Sequence, residues 1–162
     1  MESASTLSQG TGVTWQANLV VEEARILEVA RRSRRVAVLG IKTEAQAGVA
    51  AFYVAEYLVA AGVDVVPVPV YFPGVREILG RPVFRQLVYV PPPPIDLVDV
   101  FRRSRDVAAH VDDILAARPR AVWLQLGIRN DEAAERIARA GILVVQDRCL
   151  MIDHRRALRM PG

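Results

Sequence analysis

Five short apolar runs separated by helix-period segments are the feature that most narrows what this chain can become. The runs are Arg35-Val36-Ala37-Val38-Leu39-Gly40, Val63-Asp64-Val65-Val66-Pro67-Val68-Pro69, Leu97-Val98-Asp99-Val100-Phe101, Ala121-Val122-Trp123-Leu124 and Ile142-Leu143-Val144-Val145. Each is nearly continuous in β-branched and aliphatic residues instead of alternating apolar with polar, the pattern of a strand covered on both faces. Between them apolar residues recur at helical spacing: Ala51, Val54, Ala55, Leu58 and Ala61 before Gly62, then Val107, Val111, Ile114 and Leu115 before Pro119. Ser104 is placed to cap the second of these helices. Asn130 is placed to cap a third, which carries the i,i+4 pairs Glu132–Arg136 and Glu135–Arg139 and closes at Gly141. Ahead of the first strand, Asn18 reads as the N-cap of a helix with Glu22 and Glu23 in its opening turn. Its C-terminal end falls in the basic run 31–35, where cations favour the macrodipole. Strands buried on both sides and alternating with helices predict an α/β fold: a three-layer Rossmann-like domain, a five-stranded parallel sheet with helices on both faces.

A chain of 162 residues suits one such domain, and no internal repeat divides it. Residues 1–16 lack apolar periodicity and read as a flexible N-terminal arm, 17–155 as the domain and 156–162 as a C-terminal tail. Glu56 and Asp64 interrupt the apolar stretches well short of a bilayer span, so no membrane segment is expected. A single cysteine, Cys149, precludes an internal disulfide framework; with an N-terminus unlike a signal peptide it predicts a cytoplasmic protein. Of 21 basic residues, 20 are Arg and one, Lys42, is Lys; against 18 acidic residues the net charge is +3. The basic residues are spread along the chain, and aromatic residues, only 6%, do not interleave with them, so no nucleic-acid partner is expected.

In an open parallel sheet the ligand lies beyond the carboxyl ends of the strands, where the strand order reverses. The strand ends here supply glycines, cations and flat apolar surface, suited to a phosphorylated, adenine-bearing molecule. After the first strand, Gly40 permits a sharp turn and a helix begins near Gly48, so backbone N–H groups and Lys42 form an anion site. The spacing is neither the dinucleotide fingerprint nor a P-loop. The second strand ends in Val66-Pro67-Val68-Pro69-Val70, without the acidic residue that grips a ribose in an NAD site or the Arg of an NADP site; a ligand with a 3′-phosphate fits better. Arg102 and Arg103 end the third strand, one toward a phosphate and one toward a surface carboxylate. Asp96 and Asp99 bracket the same strand and read as structural. His110 and His154 have no partner at metal-ligand spacing, so neither a metal nor a catalytic role is expected of them. Cys149, beside Arg148, is a candidate redox thiol.

Several strings carry a family resemblance. They are Val36-Ala37-Val38-Leu39-Gly40, Leu79-Gly80 with Pro82-Val83-Phe84, and Asp96-Leu97-Val98-Asp99-Val100-Phe101-Arg102-Arg103. Ala121-Val122-Trp123-Leu124-Gln125-Leu126-Gly127-Ile128, Asn130 with Ala133-Ala134, Ala140-Gly141 and Asp147-Arg148-Cys149 complete the set. On these, residues 18–153 resemble the small bacterial CoA-binding proteins, which look like the CoA-binding Rossmann domain of the succinyl-CoA synthetase alpha subunit standing alone. The resemblance implies coenzyme A over the first two strand ends. Its pyrophosphate would lie at Gly40, Ile41, Lys42 and Gly48, its adenosine near Val66, Pro67, Val68 and Pro69, and its pantetheine toward Phe101, Arg102, Gln125 and Gly127. The chain departs from the family in having Gly40-Ile41-Lys42 for Gly-Ala-Ser, Gln46-Ala47-Gly48 for Arg-Pro-Ser, and Pro67-Val68-Pro69-Val70 for Pro-Val-Asn-Pro. Lys42 supplies by charge what the serine supplies by hydrogen bonding. The synthetase's phosphohistidine lies in a second domain that has no counterpart here. The expectation is therefore a non-catalytic CoA-binding protein: a carrier, sensor or partner of acyl-CoA enzymes, with CoA or acyl-CoA as ligand and a protein partner or second copy beside it. The alternative is a small NAD(P)-dependent oxidoreductase or redox sensor.

Overall fold

The five apolar runs become one parallel sheet in the computed structural model, which describes residues 14–161. The strands are β1 (Arg35–Leu39), β2 (Asp64–Val68), a small hairpin β3 (Glu77–Ile78) and β4 (Arg81–Pro82), then β5 (Leu97–Val100), β6 (Ala121–Gln125) and β7 (Leu143–Arg148). The main sheet runs β2-β1-β5-β6-β7, all parallel, so the order turns over between β1 and β5. Helices α1 (Glu23–Arg32), α2 (Ala50–Ala60) and α5 (Leu150–Leu158) cover one face; α3 (Val111–Ala117) and α4 (Asp131–Arg139) cover the other. Because successive side chains on a strand point to opposite faces, β1 sends Val36 and Val38 into the first layer and Ala37 and Leu39 into the second. Trp123, fully buried at the centre of the first layer, donates its indole N–H to the Arg148 carbonyl at 2.8 Å.

Local details differ from the sequence reading where tertiary partners claim the side chains. Asn18 does not cap a helix. It closes a 3-10 turn, Trp15–Asn18, and its amide donates to the Ala138 carbonyl at 2.8 Å, so α1 starts only at Glu23. The Ser104 hydroxyl accepts from the Arg129 N–H at 3.0 Å instead of capping, and 104–110 forms a 3-10 helix that becomes α3 at Val111. Asn130 does cap α4, accepting from the Ala133 N–H at 3.0 Å. The Glu135–Arg139 pair forms at 2.8 Å, while Arg136 turns to Asp112 at 3.0 Å. Of the N-terminal arm, residues 1–13 lie outside the described residues.

The C-terminal segment is a helix that runs past residue 155, with Ala157 buried. It is pinned by Asp153, which is buried and takes Arg148 in a two-point pair at 2.8 and 2.9 Å. Glu23 bridges Arg148 and Arg156 from α1, and the two guanidinium groups hold its carboxyl down at about 2. Deeper in this layer His154 is buried and hydrogen-bonded through Nδ1 to the Tyr57 hydroxyl at 2.8 Å.

Burial holds the His154 imidazole below its ordinary pKa, and burial followed by the Arg102 charge does the same to His110. The unfolded chain takes up these protons near pH 6.5. The stability contributed by burying neutral rings is therefore complete above that pH and declines as pH falls toward the lower folded values, by at most about 1.4 kcal/mol per pH unit for each site. Urea midpoints measured at pH 7.5 and 5.5 should show the loss at the acid end, and a smaller loss in His154→Gln. An equal loss in the variant would remove His154 as a source.

Candidate functional site

The reversal of strand order at β1 and β5 sends the loop after β1 toward α2 on one face and the loop after β5 toward α3 on the other, leaving an opening between them. At its floor the Gly40 N–H donates to the Val68 carbonyl and the Phe101 N–H to the Leu39 carbonyl, each at 2.8 Å. Gly40 has φ +89°, and a Cβ there would lie 2.3 Å from the Phe101 carbonyl oxygen. Only glycine fits.

Beyond Gly40 the loop is firmly built. Ile41 is buried, the Lys42 N–H donates to the Ala51 carbonyl at 3.0 Å, and Thr43 and Gln46 form a reciprocal capping box. Gly48 is exposed with open space around it, and α2 begins with Val49 as an N-cap that supplies no side-chain acceptor. The Phe52 N–H is taken by the Val49 carbonyl at 2.9 Å, which leaves the Ala50 and Ala51 amides for an anion. On the other side of the opening, Arg102 donates from Nε to His110 Nε2 at 3.1 Å and from Nη1 to the Tyr71 hydroxyl at 3.3 Å. An accepting Nε2 means a neutral imidazole, consistent with its lowered pKa. The Arg102 bond also lowers the Tyr71 phenol pKa. Arg103 pairs with Asp106 at 2.9 Å, and Arg102 Nη2 lies 3.9 Å from the same carboxylate.

A cleft of about 510 Å³ opens from Leu39 and Val70 to Arg85, His110 and Asp113, within the roughly 300–1,000 Å³ usual for small-molecule sites. A smaller hollow of about 150 Å³ lies at the opposite end of the sheet, between Arg25, Ser33, Asp96 and Arg120. There the Asp96 carboxylate is taken up by the N–H groups of Arg34 and Arg35 at 3.0 and 2.9 Å, which leaves it a structural clasp.

The residues singled out from sequence fall into three groups. Gly40, Lys42, Gly48, Phe101 and Arg102 lie around the opening, whereas Ile41 is buried in the core layer under α2. Val66, Pro67, Val68 and Pro69 lie behind it: all four are buried, and the surface at this end is presented by Val70, Tyr71 and Phe72. Gln125, Gly127 and Cys149 lie farther along the same edge of the sheet. Buried Gln125 accepts from the Leu150 N–H at 3.3 Å, and Gly127 donates to Asp147 at 2.7 Å. Cys149, half-buried, is the N-cap residue of α5, and the Arg148 charge beside it is committed to Asp153 and Glu23. Sequence reasoning passed over Tyr71, Phe72 and Arg85, whose only signal was an aromatic pair directly after the second strand. No cluster of three or more His, Cys, Asp or Glu able to hold a metal occurs among the described residues.

One residue under the site stands apart. Asp99, between Val38 and Trp123 in the sheet register, is fully buried with neither carboxylate oxygen hydrogen-bonded, and burial raises its pKa well above the usual carboxylate range.

Residues 34–155 match the family model described as CoA binding domain. The uncharacterized protein YneT of Bacillus subtilis (strain 168) is 30% identical over 132 residues, 82% of this chain and 93% of its own length. The solved structure of cell-free ID.343 from Thermus thermophilus is 36% identical with a TM-score of 0.76, covering 85% of this chain and 99% of its own. A hypothetical protein from Pyrococcus horikoshii OT3 is 28% identical with a TM-score of 0.74, over 85% and 93% of the two chains.

Replacing Gly40 with Ala brings a Cβ against a backbone oxygen at a positive φ, so it should destabilise the fold by ~3 kcal/mol or more. Chemical denaturation of Gly40→Ala checks this; a loss under about 1 kcal/mol would show that the two loops separate easily.

Proposed function

Because the chain belongs to the CoA-binding domain family, we propose that the opening between β1 and β5 holds coenzyme A or an acyl-CoA, and that the protein is a binding module and not a catalyst. The observation that carries the reading is the convergence of Lys42, Arg102 and the uncapped start of α2 on one opening at the strand-order reversal. Charge and backbone amides suit a polyphosphate. The polar side chains at the opening serve binding: His110 is neutral and engaged by Arg102, and no hydroxyl or thiol there is paired with a base. A carrier or sensor of CoA, or a module that presents it to a partner protein, needs no more. The oxidoreductase reading is weaker, since β2 leads into Pro69 and Val70 with neither carboxylate nor Arg for a dinucleotide ribose.

Calorimetric titration with CoA, dephospho-CoA, NAD and NADP separates the readings. CoA should bind most tightly and dephospho-CoA more weakly, and Lys42→Ala should lower CoA affinity roughly tenfold without unfolding the domain. Tighter binding of NAD than of CoA would overturn the proposal.

Cys149 belongs to a second part of the same proposal. Three strand intervals of about 4.8 Å separate β1 from β7, or ~14 Å. An extended pantetheine arm spans about 15 Å at ~3.5 Å per amide-sized unit, so its sulfur reaches that strand end. In exchange with CoA disulfide, the Cys149 thiolate attacks one sulfur, the S–S bond breaks, CoA thiolate leaves and a protein–CoA disulfide remains. Intact-mass spectrometry after incubation with CoA disulfide should show one CoA adduct that is absent in Cys149→Ser and forms more slowly in Lys42→Ala. An equal rate in Lys42→Ala would mean chemistry not directed by the site.

A further inference from the structure

The only lysine of the chain does not project freely into the opening. Its ammonium lies 4.9 Å from the centroid of the Tyr71 ring and 5.6 Å from that of Phe72. The Arg102 guanidinium lies 5.5 Å from the same Tyr71 ring and donates to its hydroxyl. Two adjacent aromatic residues thus hold both cations of the anion site. Their placement is built: Arg85 donates to the carbonyls of Tyr71, Phe72 and Val75 at 3.0, 2.7 and 2.9 Å, and the Val75 N–H closes on the Phe72 carbonyl. Phe72 is held at φ +63°, a conformation a bulky residue keeps only where its surroundings impose it. The two rings meet edge to face at 6.4 Å.

The geometry points to Tyr71 and Phe72 as specificity residues that make the site favour a base-bearing polyphosphate over a bare one, an inference that rests on the CoA reading above. A bare anion must draw Lys42 and Arg102 away from the rings. Each cation–π contact given up weakens the anion's binding roughly twofold to fivefold. A ligand that also carries a planar base returns a partner to the vacated ring faces, because stacking on an aromatic side chain tolerates any base. Phosphate recognition and base recognition are thereby coupled through the same two rings. The Tyr71 ring lies against both cations, so it carries the larger share.

Because Lys42 is the sole lysine, protein labelled with carbon-13 lysine gives a single ε-methylene signal. In the free protein ring currents should place it upfield of an exposed lysine, and in Tyr71→Leu/Phe72→Leu it should return to the exposed position. Calorimetry with inorganic pyrophosphate and with CoA then measures the selection. The double variant should bind pyrophosphate several-fold more tightly and CoA no more tightly, so that the ratio of CoA to pyrophosphate affinity falls about tenfold or more. Tyr71→Leu alone, leaving Phe72 in place, should show the larger part of the change. An unshifted lysine signal in the free protein, an unchanged affinity ratio, or pyrophosphate binding absent from both proteins would overturn the inference. If CoA binds and the ratio is unchanged, the selection falls while the CoA reading stands. If CoA does not bind the unmodified protein, the CoA reading falls, and the lysine signal and pyrophosphate titrations still decide whether the rings hold the cations back.

Discussion

Where the strand order turns over, the backbone of Gly40 rests against the carbonyl of Phe101 more closely than any side chain permits, with 2.3 Å left for a Cβ. That contact fixes how near the loops after β1 and β5 approach before they part to opposite faces of the sheet. Everything about the opening follows from it. Lys42 and Arg102 leave adjoining strand ends, so their cations meet at the Tyr71 ring from two sides. A wider floor would let the cations separate and dilute the charge. A side chain at Gly40 would fill the floor itself.

The surplus of arginine has an architectural account. Arg85 binds three loop carbonyls, Arg35 binds the carbonyls of Pro91 and Pro93 as well as Asp64, and Arg148 joins β7 to α5 and α1 through two carboxylates. The planar guanidinium, with five donors in a fixed fork, satisfies several acceptors in a connection that has little regular structure. A lysine offers a single point charge on a flexible stem. The one position that keeps a lysine is the one where a compact, movable cation lies over aromatic rings at the mouth of the site.

Asp99 is the clearest departure from this thrift with polar groups. Every other buried side-chain oxygen or nitrogen among the described residues has a partner, whereas both Asp99 oxygens lack one, two residues below the Gly40 contact. Burial pushes its pKa well above the usual carboxylate range, which favours the neutral acid over an ionised carboxylate inside the sheet.

How much was legible in advance depended on whether a residue's role is local or long-range. The five strands, their parallel two-layer burial, Asn130 as a cap and Gly40 as a turn were readable, because hydrophobic period, capping chemistry and glycine's freedom act within a few residues of chain. Asn18 and Ser104 look like caps for the same local reason, yet the structure commits them to Ala138 and Arg129, partners remote in sequence. Val66, Pro67, Val68 and Pro69, expected beside the adenosine, prove to be buried, and Val70, Tyr71 and Phe72 present the surface at that end. The sequence by itself determined the layered α/β architecture and the end of the sheet where a ligand belongs. Only the tertiary structure decided that Tyr71 lies against Lys42 and Arg102 and Phe72 against Lys42, that His110 steadies Arg102, and that α5 is locked down through Asp153. The ring–cation contacts join segments about thirty residues apart, and the nearer pairs, Arg102 with His110 and Arg148 with Asp153, cross from a strand end into the following helical segment, so no single period or cap encodes them.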